Sequence, residues 1–408
     1  MDTVSRNDIS WRHFQLFPSS VIPVLDQIHL ESVVIEHQPL EKEIELHRCR
    51  NRINQYEKTL APGRNWEYYK KIVNPFEIVY TQKKYPTFPE SICFLKPLSR
   101  SYFKMIEMLD LADLFGLWGN EPIRSAHVCE GPGGFIEALF DEAAKQKRRI
   151  QMSMAMTLKS KRTNIPGWKR AAYFLQKNKN ISILFGSDDT GNIMKPENQQ
   201  YFIDHATYAE QGGKVHLFTA DGGFDFSGDY SKQEEMVFPL LMASTKIGLE
   251  ALKPGGVFVL KLFDFYRKAT TDLIYFLSCH FQEWTLYKPC MSRPCNPEHY
   301  FIGKGFTGYS DTIQDVMRIW CSLAEQGRPM DSLFSADPSP DFCERIQILR
   351  DTSFRMQTEY LERVFHIIEQ NNEEVIQQYL RQNERSSYEW CVRFKVPIYA
   401  HRLHSAEE

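Results

Sequence analysis

The chain has 408 residues, of which 42% are hydrophobic and 25% are charged, so it is too long for one small domain. This composition indicates a folded, soluble protein with a substantial core. The formal net charge of −3 at pH 7 excludes a globally basic protein, so any contact with nucleic acid would depend on local patches.

Signals for a membrane segment or a metal site are absent from the sequence. No uninterrupted apolar segment approaches the roughly 18 residues of a membrane helix, so we expect no membrane association. The nine cysteines include no Cys-x-x-Cys pair, and Cys290 and Cys295 lack a second pair or clustered histidines. We therefore expect an intracellular protein with reduced thiols and without zinc or a disulfide framework.

The N-terminal part of the chain carries no chemical motif. Residues 40–60 predict a helix within an otherwise irregular extension. Between Trp66 and Pro97, tyrosines and tryptophan alternate with lysines. Such a pattern is typical of an RNA-facing surface, where cations meet phosphates and rings stack on bases, but a solvated charged face fits it equally well.

The next segment predicts a helix that carries a lysine near its start. Met105, Met108, Leu109 and Ala112 recur at helical spacing, and Lys104 lies at the edge of this apolar stripe. By itself, a lysine in this position usually extends its amine into solvent.

A strand, a tight loop and a helix are predicted around residues 126–140. The loop Glu130-Gly131-Pro132-Gly133-Gly134 allows close approach of backbone to a ligand, and the helix start offers free N–H groups. The loop lacks the sixth-position glycine of a dinucleotide fingerprint and the Gly-Lys-Ser/Thr ending of a phosphate loop. We interpret it as the type of turn found in S-adenosylmethionine sites, or as a turn without a ligand.

Further strands are predicted at residues 151–158, 181–185, 215–220 and 257–260. Asp188 and Asp189 follow the second of these, Asp221 follows the third, and Lys261 ends the fourth. In an open parallel sheet, ligands bind at the carboxyl ends of the strands. A lysine at the end of a buried strand is costly without a partner, and we expect Asp221 on the adjacent strand to be that partner. A plain Asp-rich turn explains residues 188 and 189 equally well.

The rest of the chain predicts the end of the sheet and a helical tail. We expect a helix over 231–252, a helix and a strand within 276–287, and a closing strand at 300–302. Residues 309–404 show helical periodicity, and the proline-containing segment 335–340 reads as a linker.

Six ordered blocks together resemble the RrmJ/FtsJ-like RNA ribose 2′-O-methyltransferases, nearest to the cap-specific mRNA (nucleoside-2′-O-)-methyltransferases. The blocks are residues 99–105, 129–135, 157–159, 220–224, 260–264 and 292–298. The resemblance implies a Rossmann-like α/β fold, a mostly parallel seven-stranded sheet with helices on both faces. It covers residues 74–306, which leaves an N-terminal extension (1–73) and a C-terminal helical region (307–408).

The resemblance also implies an active site and its ligands. The family uses a Lys-Asp-Lys-Glu tetrad without a metal, and the matching positions are Lys104, Asp221, Lys261 and Glu298. S-adenosylmethionine is the implied cofactor, held by Ser99, Cys129, Glu130, Gly131, Pro132, Gly133, Gly134, Phe135, Asp188 and Asp189. The positions implied to lie near the capped RNA are Ser231, Lys232, Gln233 and Asn296. Many methyltransferases carry an acidic ribose ligand after the second strand of the sheet, whereas residues 156–159 have none, as in the cap-specific branch.

The implied reaction is methyl transfer to the ribose 2′-hydroxyl of the first transcribed nucleotide of capped mRNA, which converts cap 0 to cap 1. We expect capped mRNA and the capping or transcription machinery as partners, and a nuclear location in preference to a cytoplasmic one. Methylation of the second nucleotide, methylation of ribosomal or transfer RNA, and a catalytically silent RNA-binding module are the alternatives.

Chemistry assigns a role to Lys261 and leaves two interpretations for a basic segment. Lys261 is our choice for the group that takes the hydroxyl proton, which requires its pKa to fall from about 10.4 towards neutrality through burial and the charge of Lys104. The basic segment with Lys159, Lys169 and Arg170 is either an RNA-binding patch or solvated surface.

Overall fold

A single twisted sheet forms the centre of the molecule. The structure is a computed structural model that describes residues 10–22, 25–56, 60–81, 85–159, 167–208, 213–223 and 232–399. Within these ranges the strands are β1 (Phe17–Pro18), β2 (Ile123–Val128), β3 (Ile150–Met156), β4 (Ile181–Leu184), β5 (Val215–Ala220), β6 (Leu252–Leu262), β7 (Phe281–Tyr287) and β8 (His299–Phe306).

The sheet order is β1-β7-β8-β6-β5-β2-β3-β4. Strands β4, β3, β2, β5 and β6 are parallel to one another, and β8 pairs antiparallel with both β6 and β7. The two residues of β1 add an antiparallel edge next to β7. The predicted fold class is therefore confirmed. The sheet differs from the seven strands expected because the N-terminal extension supplies one more.

Helices cover both faces of the sheet. They are α1 (Glu41–Tyr56), α2 (Trp66–Val73), α3 (Ser101–Leu111), α4 (Leu114–Leu117), α5 (Gly134–Lys145), α6 (Ala172–Lys177), α7 (Pro196–Thr207), α8 (Gln233–Ala251), α9 (Lys268–Ser278), α10 (Asp311–Glu325), α11 (Pro340–Gln370) and α12 (Glu373–Arg393). Among the helices in the described ranges, none combines the length and the apolar character that crossing a bilayer requires.

Alternation along the central strands divides the interior into two cores. Phe218, Phe258 and Leu260 pack on the face covered by α7, α8, α9 and α10. Val257 and Val259 point to the opposite face, against α3, α5 and α12. Since successive strand residues alternate between faces, the strand-end residues one step beyond Ala220 and Leu260 point towards α3. This register directs the charged side chains of Asp221 and Lys261 to the same side of the sheet.

The two terminal regions pack onto the sheet domain. Arg50 of α1 donates two hydrogen bonds to Asp264, at 2.7 and 3.1 Å, and one to Gln357 of α11 at 2.6 Å. The core on the α3 side includes Leu46 of α1 and Trp390 of α12. The boundaries at 73/74 and 306/307 stay a prediction, and hydrophobic packing runs across both.

Both interpretations of the aromatic and lysine pattern after Trp66, an RNA-facing surface and a solvated charged face, are wrong for the buried residues of helix α2. Tyr68 and Tyr69 are each 1% exposed and belong to the core, and Lys71 is buried beside them. Helix α2 packs against α11 and α12, so its rings have helical neighbours in place of solvent. Lys83 and Lys84 of the same pattern lie outside the described residues.

Candidate active site

The four tetrad positions converge at the carboxyl edge of the parallel strands. Lys104 lies in the first turn of α3, Asp221 directly follows β5, and Lys261 is the penultimate residue of β6. Glu298 directly precedes β8. Ala220 is paired with Leu260 in the sheet, so Asp221 and Lys261 are neighbours on adjacent strands. The predicted pairing of these two residues is confirmed.

Two ion pairs form the centre of the site. Lys261 Nζ lies 3.2 Å from Asp221 Oδ1 and donates a hydrogen bond to the Asp221 carbonyl oxygen at 2.8 Å. Lys104 Nζ lies 2.6 Å from Glu298 Oε1. Between 12% and 16% of each side chain is exposed, so a ligand can still reach groups that are mostly shielded from water.

Tyr300 joins the two ion pairs and is a residue that the sequence reasoning missed. Its hydroxyl donates to Asp221 Oδ1 at 2.7 Å and accepts from Lys104 Nζ at 3.5 Å. The register of β6 and β8 sets Tyr300 directly beside Lys261. The available sequence signal was its position two residues after Glu298, since residues two apart in an extended segment share a face.

The charges of the site determine its titration. Burial by itself would raise the pKa of Glu298, but the charges of Lys104 and Lys261 lower it to about 2. Burial by itself would lower the pKa of Lys261, yet the charges of Asp221 and Glu298 and the hydrogen bond to Asp221 raise it above its ordinary value. The expectation that the pKa of Lys261 falls towards neutrality is therefore wrong, because the two carboxylates outweigh the effect of burial.

The glycine loop presents a carboxylate beside this network. Glu130 Oε1 accepts a hydrogen bond from the Phe135 N–H at 2.6 Å, at the start of α5, and the Gly133 N–H donates to the Glu130 carbonyl at 2.7 Å. Glu130 Oε2 is buried and has no hydrogen-bond partner among the described residues. Burial and the charge of Asp221 raise the pKa of Glu130. A donor or cationic group of a ligand would satisfy this oxygen.

Gly134 brings the loop against the helix that carries Lys104. A Cβ atom at this position would lie 2.2 Å from Ser101 Oγ, 2.3 Å from Ser99 Oγ and 2.9 Å from the Tyr102 nitrogen. Gly133 adopts a φ of +105°, which favours glycine. The predicted cofactor residue Ser99 therefore contacts the loop directly.

Other predicted loop residues play more structural parts. The Phe135 ring is fully buried and packs on the Tyr300 ring, so only the backbone N–H of Phe135 takes part in the glycine loop. Burial raises the pKa of the Cys129 thiol to about 12, which keeps it protonated. Pro132 is buried and Gly131 half-buried within the same turn.

The two aspartates after β4 differ in their surroundings. Asp188 accepts hydrogen bonds from Thr190, Lys195 and Asn198, so it stabilises its own loop. Asp189 is 72% exposed and forms an ion pair with Lys159 at 2.6 Å. Their contact with an adenosine group stays a prediction.

The residues predicted to lie near RNA surround the start of α8 and the loop before β8. Lys232 is exposed, and Gln233 is buried with an Oε1 that has no hydrogen-bond partner in the described part of the chain. Ser231 lies outside the described residues. Asn296 is half-buried, and its carbonyl accepts from Lys288 Nζ at 2.6 Å.

Lys288 holds the loop that carries Glu298, a role the sequence reasoning did not anticipate. Its Nζ donates to the carbonyl oxygens of Asn296 and Glu298, the latter at 3.1 Å. Burial lowers the pKa of Lys288 to about 8. Arg293 from the same loop binds the buried Glu77 carboxylate through Nε at 3.1 Å and Nη2 at 3.2 Å.

Comparison with known proteins assigns the sheet domain to a family. Residues 97–306, about half of the chain, match the FtsJ-like methyltransferase family. The chain belongs to this family. FtsJ-like methyltransferases use S-adenosylmethionine, and the cradle of Gly133 and Gly134 with the unpartnered oxygen of Glu130 fits such a cofactor.

Curated relatives of this FtsJ-like protein carry the name cap-specific mRNA (nucleoside-2′-O-)-methyltransferase 1. The Dictyostelium discoideum protein is 32% identical over 259 residues, which are 59% of this chain and 34% of that protein. The Danio rerio protein is 31% identical over 201 residues (48% and 23%), and the Homo sapiens protein 31% over 200 residues (48% and 23%). The chain thus spans about a quarter to a third of the length of these relatives.

Solved structures similar to this FtsJ-like protein include human methyltransferase-like protein 13 in complex with SAH. That match has a TM-score of 0.33 and 12% identity and covers 56% of this chain and 93% of the other. An rRNA methylase from Streptococcus thermophilus matches with a TM-score of 0.30 and 11% identity, over 52% and 99% of the two chains.

Gly134→Ala should weaken binding of S-adenosylmethionine by about tenfold or more, because the added Cβ forces the glycine loop away from the start of α3. Isothermal titration calorimetry measures the change. Gly167→Ala is the matched control, since a Cβ there would meet nothing within 4 Å. Equal affinity of the two variants would contradict the assigned cradle.

Proposed function

We propose that the protein transfers a methyl group from S-adenosylmethionine to the ribose 2′-hydroxyl of the first transcribed nucleotide of capped mRNA, which converts cap 0 to cap 1. The network of Lys104, Asp221, Lys261 and Glu298 beside the glycine loop is the observation that supports this function. The names of the curated relatives support capped mRNA as the substrate. A nuclear location and contact with the capping or transcription machinery belong to the same proposal.

Lys261 accepts the proton of the 2′-hydroxyl in this mechanism. S-adenosylmethionine bound at the glycine loop would supply the methyl group, so that the hydroxyl oxygen would form the new O–C bond and the electrons of the broken C–S bond would stay on sulfur. The hydroxyl proton would pass to Lys261 Nζ. Only the neutral fraction of Lys261 can accept, and its raised pKa makes this fraction small at pH 7. Asp221 orients the amine through the contacts at 2.8 and 3.2 Å.

Lys104 stabilises the negative charge that develops on the oxygen. Glu298 holds its ammonium at 2.6 Å and Tyr300 lies within 3.5 Å, so the cation needs no reorganisation during the reaction. Alignment of hydroxyl and methyl group by this network contributes further to the rate. Ser231, Lys232, Gln233 and Asn296 are proposed to position the capped nucleotide.

A basic surface next to the glycine loop is proposed to bind the RNA chain. Lys159, Lys169 and Arg170 are exposed, and the ring of Trp168 lies 3.3 Å from a Cβ built at Gly133. Arg170 also lines a groove of about 590 Å³ between α5 and α6. Further lining residues include the cations Lys96, Arg148 and Lys177, the carboxylates Glu137 and Asp141, and Tyr173, which is 77% exposed. Cations and an exposed ring suit a single strand.

Labelled S-adenosylmethionine incubated with matched capped and uncapped RNA tests the function. Label should enter the 2′-O position of the first nucleotide of capped RNA only, and nuclease mapping of the labelled sugar identifies the position. Label on the second nucleotide or on uncapped RNA would replace the proposal with the corresponding alternative. No label on any RNA would favour a silent RNA-binding module.

Lys261→Ala should reduce methyl transfer by about 10²–10⁴-fold because the proton acceptor is removed. Cofactor affinity should stay within a few-fold, as measured by titration calorimetry. The control is Lys253→Ala. Lys253 lies on the same strand β6 as Lys261 and forms an ion pair with Glu121, which lies outside this strand. Retained turnover in the Lys261 variant would reject its assigned role.

The rate of methyl transfer should rise with pH through the alkaline range, because Lys261 must be neutral to accept a proton. The charge of Asp221 raises the pKa of Lys261, whereas burial lowers it. Asp221→Asn should therefore move the inflection of the pH–rate profile to lower pH, by about one unit or more, and reduce the maximal rate. Because the pKa of Lys261 lies above its ordinary value, single-turnover assays that extend from neutral pH to about 11.5 measure both effects. An inflection at the same pH in both proteins would contradict the mechanism.

Replacement of Lys159, Lys169 and Arg170 by alanine should weaken RNA binding and flatten its salt dependence, by roughly 0.7 in the log–log slope for each phosphate that the protein no longer neutralises. Fluorescence anisotropy at several salt concentrations provides the slope. Arg355, Arg381 and Arg385, exposed on α11 and α12, form a control set that removes the same amount of charge. An equal slope in both triple variants would show that the basic segment is ordinary solvated surface.

A further inference from the structure

Glu107 is a fully buried carboxylate on the helix that carries Lys104. It lies three residues after Lys104 on α3, almost one helical turn further along, and is 0% exposed. The mechanism above does not use it. Burial of a carboxylate is costly unless donors satisfy its oxygens, so the surroundings of Glu107 must compensate this cost.

Each oxygen of Glu107 accepts two hydrogen bonds. Oε2 accepts from the Tyr287 hydroxyl at 2.6 Å and from the Cys290 N–H at 2.8 Å. Oε1 accepts from the Met291 N–H at 3.0 Å and from Trp390 Nε1 at 2.9 Å. All four donors are neutral groups, and burial still raises the pKa of Glu107 to about 7.

The donors come from two parts of the chain that are distant in sequence and that both bind this carboxylate. Tyr287 ends β7, and Cys290 and Met291 open the loop that leads to Glu298. Trp390 belongs to α12 in the C-terminal helical region. Glu107 therefore binds the beginning of the catalytic loop and a distant helix at the same time.

Two backbone N–H groups near the start of this loop, those of Cys290 and Met291, need hydrogen-bond acceptors from another part of the chain. Cys290 is 6% exposed and Met291 0%, and both lie between β7 and β8, outside the sheet ladder. Buried backbone N–H groups without a partner are strongly disfavoured, and Glu107 supplies the acceptors. Lys288 fixes the other end through the carbonyls of Asn296 and Glu298. The loop is thus held at both ends.

We propose that Glu107 is a positioning residue that, together with the indole N–H of Trp390, sets the distance between Lys104 and Glu298. Helix α3 carries the lysine and also fixes the start of the loop that carries its carboxylate partner. The C-terminal helical region thereby contributes to the geometry of the active site through one hydrogen bond. This inference rests on the proposed function, because it concerns the same tetrad.

Trp390→Phe removes the indole N–H and keeps most of the packing. Trp320→Phe is a matched control, since Trp320 is 0% exposed and its Nε1 donates to the His29 carbonyl at 2.7 Å in the other core. Methylation kinetics are measured per cofactor-binding site counted by titration. We expect kcat to fall about tenfold in the Trp390 variant with KM for S-adenosylmethionine unchanged, and to stay within twofold in the control.

Glu107→Gln replaces an acceptor oxygen by a donor and should lower kcat further, by about 10²-fold. Trp390→Phe decides the outcome if Glu107→Gln fails to fold. Equal kcat values in the Trp390 and Trp320 variants would overturn the proposal, and a lower melting temperature alone would then assign Glu107 a purely structural role.

Amine labelling tests the geometry without the reaction. Lys104 Nζ is mostly buried in its ion pair, with 13% of the side chain exposed. Pulse labelling with an amine-reactive ester and peptide mass spectrometry should show Lys104 reacting several-fold faster in Trp390→Phe than in wild type, and unchanged in Trp320→Phe. Lys253, 33% exposed, serves as internal reference. If wild type fails to methylate RNA, this measurement still accepts or rejects the positioning role by itself.

Discussion

Charged groups at the ends of buried strands must find partners, and this constraint organises the candidate active site. Asp221 and Lys261 face the side of the sheet that α3 covers, because side chains alternate between the two faces along each strand. With Lys104 and Glu298 they form two positive and two negative groups, linked by Tyr300. Removal of any one charge would leave another without compensation in a mostly dry environment. The four side chains therefore hold one another in place.

Supports for this network come from outside the sheet. Lys288 and Glu107 hold the two ends of the loop before β8, and Glu77 binds Arg293 in its middle. Arg50 of α1 binds Asp264, three residues beyond Lys261. Polar groups from outside the sheet thus contact the residues that flank the candidate active site. Such interactions cost desolvation, which offsets much of the electrostatic stabilisation that they provide.

Local sequence signals predict the parts of the site that depend on strand ends and turns. The glycine loop, the position of Asp221 after β5 and its pairing with Lys261 all follow from apolar runs that end in charged residues. The placement of Lys104 and Glu298 beside them follows from the family resemblance alone. The contacts of Tyr300 with Asp221 and of Trp390 with Glu107 escape prediction because they join segments far apart in the sequence. The role of Lys288 escapes prediction because it depends on how the loop before β8 folds back on the end of β7.

Two wrong expectations have the same physical origin. The aromatic pattern of α2 fits an RNA-facing surface or a solvated charged face, although the distant helices α11 and α12 cover this helix. The pKa of Lys261 moves upward because the carboxylates that surround it are assembled only in the fold.

The contact between Arg50 and Asp264 crosses the limit of the segment that matches the family model. A fragment cut to residues 97–306 would retain Asp264, 7% exposed, and Glu107, fully buried, without the partners that Arg50 and Trp390 provide. The segment that matches the family model therefore leaves out two residues that bind its buried carboxylates, one from each flank of the chain.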